Sequence, residues 1–164
     1  MLTRFHACGL AVLLVAALLG GAAVLAGAPD ETPLPQPGVE IEEVWARPAL
    51  QGGNSAVYLK LTNNEAVPLV LVGARSSVAR ITEVHETVHE HDHEGHGHVM
   101  HMEHLHELVI APGETVAFVP GGLHVMLIEL ERPLRIGDRI EVELFFAERA
   151  PVTVEAIVMI DGDD

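Results

Sequence analysis

"SAVYLKLTNNEAVPLVLVGARS", residues 55–76, decides the fold class. From Ser55 to Asn63, Ala56, Tyr58 and Lys60 alternate with Val57, Leu59 and Leu61, the period of two expected of a strand buried on one face. Asn63, Asn64 and Pro68 then interrupt the pattern, and a second β-rich run, "VPLVLVGARS", comes next.

The same grammar runs through the rest of the chain. "VEIEEVWARPA" precedes it; "ARITEVHETV", "LHELVIA", "TVAFVP", "HVMLIEL", "DRIEVELFFAE" and "PVTVEAIVMI" come after it, most of them bounded by Gly, Pro, Asn or Asp. Beyond residue 30 no apolar period of 3.6 persists over ten residues. The pattern predicts an all-β domain, a single antiparallel β-sandwich of seven to nine strands over residues 39–160.

Ahead of this domain, Arg4 precedes an uncharged run rich in Leu, Val, Ala and Gly from Ala7 to Ala28. Residues 1–28 read either as a cleaved signal peptide or as an uncleaved N-terminal membrane anchor. With Arg4 kept in the cytoplasm, both place the domain on the far side of the membrane, periplasmic or otherwise extracytoplasmic. Cys8, the chain's single cysteine, lies in this run, and "FHAC" lacks the upstream Leu of a lipoprotein signal. Residues 29–38, within "GAPDETPLPQPG", form a proline-rich linker.

Nine Lys and Arg stand against 24 Asp and Glu, a net charge of −15. That balance repels nucleic acid and anionic lipid and favours cations, so contact with a membrane is expected only through the N-terminal segment.

"HETVHEHDHEGHGHVMHMEHLH", residues 85–106, gathers nine histidines and two methionines. His89 to His98 includes no hydrophobic residue and reads as a loop; its imidazoles, His89, His91, His93, His96 and His98, suit Cu(II) or Zn(II). Past the loop, alternation along a strand puts Met100, Met102, His104 and His106 on one face, with His101 available nearby. His124 and Met126 sit together on another strand after a "PGG" turn. Thioether sulfur is a soft neutral donor that suits Cu(I), and with no exported thiol a blue-copper electron carrier is excluded. Trp45 reads as core or core-rim packing, and Arg47, before Pro48, as a surface or strand-end ion pair.

Taken together, "HETV…VMHM…VIAPGETVAFVPGGLHVMLIEL…PLRIGDRIEVELFF" resembles the periplasmic copper chaperones of the PCu(A)C type, whose motif is a His, ten residues, then Met-x21-His-x-Met. Met102, His124 and Met126 match the second part without a gap, and "VWARPA", "GGNSAVYLKLTNN" and "LVGARSSVA" extend the likeness over residues 39–158. Sixteen residues, not ten, separate His85 from Met102, so either His85 keeps its place and the insertion loops out, or His89, His98 or His101 replaces it. The resemblance implies a cupredoxin-like or immunoglobulin-like sandwich and one Cu(I) on His85, Met102, His124 and Met126. It further implies delivery to a copper-receiving protein such as cytochrome oxidase, a respiratory oxidase, or its assembly factor.

Two other classes compete. A histidine-rich periplasmic protein buffering zinc, nickel or copper would need only the loop. A small cupin-type metalloenzyme is the other, since "GETVAFVPGGLH" is similar to the second metal-binding motif of that fold, but its spacings miss the motif by one residue in each half. Ser55, Ser76 and Ser77 lack the glycine context of a hydrolase nucleophile, so no enzymatic activity is expected.

Overall fold

The computed structural model describes residues 38–91 and 98–160; the signal or anchor segment, Cys8, the linker up to residue 37, and His93 and His96 lie outside them. Ten strands succeed one another: β1 (Val39–Ala46), β2 (Ser55–Asn63), β3 (Leu69–Arg75), β4 (Ala79–His91), β5 (His98–His104), β6 (Leu108–Ile110), β7 (Thr115–Phe118), β8 (Leu123–Leu130), β9 (Arg139–Phe146) and β10 (Val152–Val158). No helix occurs among the described residues.

The all-β expectation holds, but the sandwich of seven to nine antiparallel strands is replaced by one mixed sheet. Its order is β5-β4-β8-β7-β2-β1-β10-β9-β3-β6, curled into a half-barrel. Two pairings are parallel, β1 with β10 and a short one between β7 and β8. The first joins the beginning and end of the domain, a closure that local alternation does not encode. The tenth strand comes from the histidine tract. β4 continues to His91 and β5 starts at His98, so His89, His91 and His98 belong to a hairpin ladder and not to the predicted loop.

The core fills the hollow of the curl. Val57, Leu59 and Leu61 of β2 share one buried cluster with Val84, Val125 and Leu127 and with Ile140, Val142 and Leu144. Asn63 is fully buried there, and its amide donates to the carbonyls of Val67 and Ile110 at 2.9 and 3.0 Å, which satisfies the buried polar side chain at that end of β2.

One irregularity matters for the site. Glu42 faces Lys60 but Trp45 faces Tyr58, so β1 carries one extra residue, and Glu43 takes the left-handed φ of 52°. A bulge of this kind inverts the alternation beyond it. Ile41 pairs with Leu61 on the core face, whereas Trp45 is turned to the outer face beside Tyr58, and Ala46 fills the core instead.

Candidate metal centre

β4 and β8 run antiparallel with Val84 opposite Val125 and His85 opposite His124. Both valines are buried in the core, so by alternation the histidine rung lies on the outer face. The same face receives Met126 opposite Glu83, and across the β4–β5 ladder Met102 opposite Thr87 and His104 opposite His85. A continuous row therefore crosses five strands: His104, His85, His124, Tyr58 and Trp45. Ring centroids along it are 5.6, 5.9, 6.5 and 4.5 Å apart.

The turn before β8 is built to orient His124. Gly122 N–H donates to the Val119 carbonyl at 3.0 Å, with Pro120 and Gly121 between them and Gly121 at a φ of 79°, the type II arrangement that requires glycine at that place. The Gly122 carbonyl then accepts from Thr87 N–H at 3.2 Å and from His124 Nδ1 at 3.0 Å. A carbonyl can only accept, so the neutral His124 ring is protonated at Nδ1 and its lone pair is on Nε2. His124 Nε2 is buried and has no hydrogen-bond partner.

His85 repeats the logic in mirror image. Its Nε2 lies 2.8 Å from Glu83 Oε2, which assigns the proton to Nε2, and its buried Nδ1 has no partner. Burial, with the neighbouring His85 as a lesser cause, pushes the His124 pKa below its ordinary 6.5 against the opposing effect of the Gly122 hydrogen bond. His124 is thus neutral at pH 7.

Beside His124 opens a cavity of about 430 Å³. Met100, Met102, Met126, His124, Thr87 and Tyr58 line it together with Arg47, Pro48, Asn54, Ser55, Ala56, Pro120 and Gly121. Met102, His124 and Met126, singled out in the sequence, thus share one cavity, and Met100 joins them there. His85 stands against His124, outside this lining. His101 pairs with Val88 on the opposite face of β5, and His106 lies just past the strand, 4.7 Å from His104 ring to ring. Among the described residues no group of three or more His, Cys, Asp and Glu is gathered for a metal, so the convergent donors are imidazole with thioether.

One residue of the site is absent from the sequence-based set, Tyr58, whose ring backs His124; Met100, placed there among the secondary donors, lines the central cavity. The alternation of Ser55–Asn63 held the signal for Tyr58. Among the described residues Arg47 does not form the ion pair expected of it. Ser55 and Ser76 donate to the carbonyls of Arg47 and Glu141 at 2.7 and 2.6 Å and are structural.

Residues 39–158 match a family described as putative lipoprotein LpqE-like. The chain belongs to the LpqE-like family. A putative lipoprotein of Leifsonia xyli subsp. xyli is 34% identical over 149 residues, 88% of this chain and 86% of that protein. Among solved structures, CuI-DR1885 from Deinococcus radiodurans is 26% identical with a TM-score of 0.56, over 81% of this chain and 84% of that one. The copper-bound PCuAC domain from PmoF2 shares the fold at 24% identity and a TM-score of 0.58, over 74% and 92%. The likeness to PCu(A)C domains read from the Met-x21-His-x-Met spacing is thus met again in three dimensions.

Proposed function

We propose that this chain is an extracytoplasmic copper chaperone that binds Cu(I) through His85, Met102, His124 and Met126 and passes it to a copper-receiving protein. The observation that carries this reading is the pair of buried, unpartnered imidazole nitrogens, His85 Nδ1 and His124 Nε2, beside a cavity lined by thioethers. Each is the lone-pair nitrogen of its ring, and each ring is held by a partner at its other nitrogen, the arrangement that orients a metal-binding histidine.

Reach agrees with this. A metal–nitrogen bond of about 2 Å plus roughly 1 Å to each ring centre allows two rings on one ion to stand about 6 Å apart; here the separation is 5.9 Å. Two imidazoles and two neutral sulfurs suit Cu(I) and add little for Zn or Mg. They also fill its coordination, leaving no open position for a substrate, which favours a carrier over an enzyme. The copper in the CuI-DR1885 structure supports the same choice.

Export through residues 1–28, as signal or anchor, agrees with a family of putative lipoproteins. As receiver, a respiratory oxidase such as cytochrome oxidase, or its assembly factor, fits a donor on that side of the membrane. The hairpin adds a second capacity. By backbone register His89 pairs with Met100 and His91 with His98, two and four residues beyond the Thr87–Met102 pair, which puts residues suited to Cu(II) or Zn(II) on the ladder that leads to the Cu(I) site.

The test is a Cu(I) competition titration of His124→Ala and Met126→Ala. Loss of more than about 100-fold in affinity with the fold retained supports the site, since removing even a residue that only supports a ligand costs about 10–100-fold. Parental affinity in both variants refutes it.

A further inference from the structure

The sheet has two edges, and they are not alike. β6 is only three residues long, and shortness is one of the ways in which an edge is blunted. β5 has seven residues, pairs among the described residues with β4 alone, and follows it without a register shift. It includes no Lys, Arg or Pro, and Glu103 is its single carboxylate in a chain with 24 acidic residues. An edge left open in this way is a template for another strand.

The β4–β5 ladder decides which atoms that edge offers. Leu105 N–H donates to the Val84 carbonyl at 2.8 Å, and bonded positions alternate along an antiparallel pair. Val99, His101 and Glu103 are therefore bonded to Glu90, Val88 and Glu86, while the backbone N–H and carbonyl of His98, Met100, Met102 and His104 point off the sheet. Thr87, opposite Met102, agrees: its N–H turns away from β5, to the Gly122 carbonyl at 3.2 Å. Along the same edge Met100 is 66% exposed and Met102 57%. The sequence of the strand, "HVMHMEH", reads alike from either end about His101 except at Val99 and Glu103.

We propose that two copies of this chain pair edge to edge through β5, antiparallel about His101. Met100 of each copy then stands opposite Met102 of the other, and His98 opposite His104, so every outward N–H and carbonyl of these residues meets its complement. A shift by one residue would set outward groups against inward ones, and a shift by two would leave His98 or His104 unmatched within the strand. Glu103 meets Val99, so no two carboxylates are opposed across the seam. A second copy has this match by construction, because the strand is its own complement in backbone and in residue type. The pairing also brings exposed thioethers of both copies together on the face that carries His85 and His124, where Met100 of the second copy lies beside Met102. It stands on the edge itself and does not depend on the copper reading.

The experiment uses residues 29–164, which include all ten strands and every residue of the buried core and, without Cys8, no thiol. Sedimentation equilibrium with EDTA present is expected to show a monomer–dimer equilibrium with a Kd below about 1 mM. Met100→Pro removes an N–H that β4 does not use, so it should keep the circular dichroism of the parent and dimerise at least about 10-fold more weakly. Cross-linking in a glutathione redox buffer reads the register. His101→Cys places two thiols at a facing non-bonded pair, about 4.5 Å between Cα atoms and within disulfide reach, whereas Met100→Cys places them on a diagonal about 7–8 Å apart, outside it. Disulfide dimer formed by His101→Cys in large excess over Met100→Cys supports the pairing, and decides alone should Met100→Pro lose the parent spectrum. A parent still monomeric at about 1 mM, a dimer that EDTA dissolves, a dimer undiminished in folded Met100→Pro, or equal cross-linking of the two cysteine variants would overturn it.

Discussion

His85 and His124 face each other across one rung of the β4–β8 ladder, their ring centroids 5.9 Å apart, each with one nitrogen held and the other buried without a partner. The holding groups differ in kind. His124 is fixed by the Gly122 carbonyl, which mutation cannot remove, whereas His85 is fixed by the Glu83 carboxylate, which it can.

Glu83→Ala is therefore expected to weaken Cu(I) binding by about 10–100-fold while leaving the copper ligands in place. Glu83→Gln, whose amide oxygen still accepts from Nε2, should recover most of the loss. Competition with a chromophoric Cu(I) chelator reads both, and an effect of Glu83→Ala below about 3-fold would mean that His85 is not oriented through this contact.

The lowered pKa of His124 gives the copper-free domain a definite pH dependence. Its folded pKa lies below the 6.5 of the unfolded chain, so between the two values the unfolded state binds more protons. Its contribution to stability is therefore complete above about pH 6.5 and declines as pH falls through this window, reaching its floor below the folded pKa. Denaturant midpoints from pH 7.5 to 5 should show the decline, and His124→Gln should flatten it. A midpoint that rises on acidification would give the shift the opposite sign.

Much of this was legible in the sequence, and the gaps have physical causes. Alternation in Ser55–Asn63 and in the runs around it marks the strands, because a residue's face depends only on its neighbours. Met102, His124 and Met126 were legible for the same reason combined with the motif spacing. The parallel closure of β1 on β10 was not, since it joins residues more than a hundred apart. Nor was the bulge at Glu43, which moves Trp45 from the core face to the outer one. An exposed arginine in an acidic chain ordinarily finds a carboxylate, and only the three-dimensional lining reveals that Arg47 sits at a cavity without one among the described residues.

The bulge makes Trp45, the chain's single tryptophan, a reporter of the site. Its ring lies tilted against Tyr58, 4.5 Å between centroids, and Tyr58 backs His124. Cu(I) loading is expected to change Trp45 emission and to saturate at one equivalent; Tyr58→Ala should abolish most of the change. Emission that does not respond to copper in the parent domain would place the ion away from this row.

Deletion of residues 92–97 should leave the Cu(I) affinity of the central site within about 3-fold, because that site's ligands lie outside the deleted segment, and should remove additional Cu(II) or Zn(II) equivalents. In the parent those equivalents should be lost as pH falls through about 6 to 7, since protonated imidazole cannot ligate. Calorimetric stoichiometry at pH 7.5 and pH 5 checks this, and unchanged binding at pH 5 would assign those ions to carboxylates.

The central claim is that thioether and imidazole hold the same ion. X-ray absorption at the copper edge of the domain loaded with one equivalent of Cu(I) counts the scatterers directly. A site on His85, Met102, His124 and Met126 requires sulfur at thioether distance together with two imidazole nitrogens, with sulfur diminished in Met126→Ala and imidazole scattering diminished in His124→Ala. A first shell of nitrogen and oxygen alone, unchanged in both variants, would contradict it and place the copper on the histidine tract.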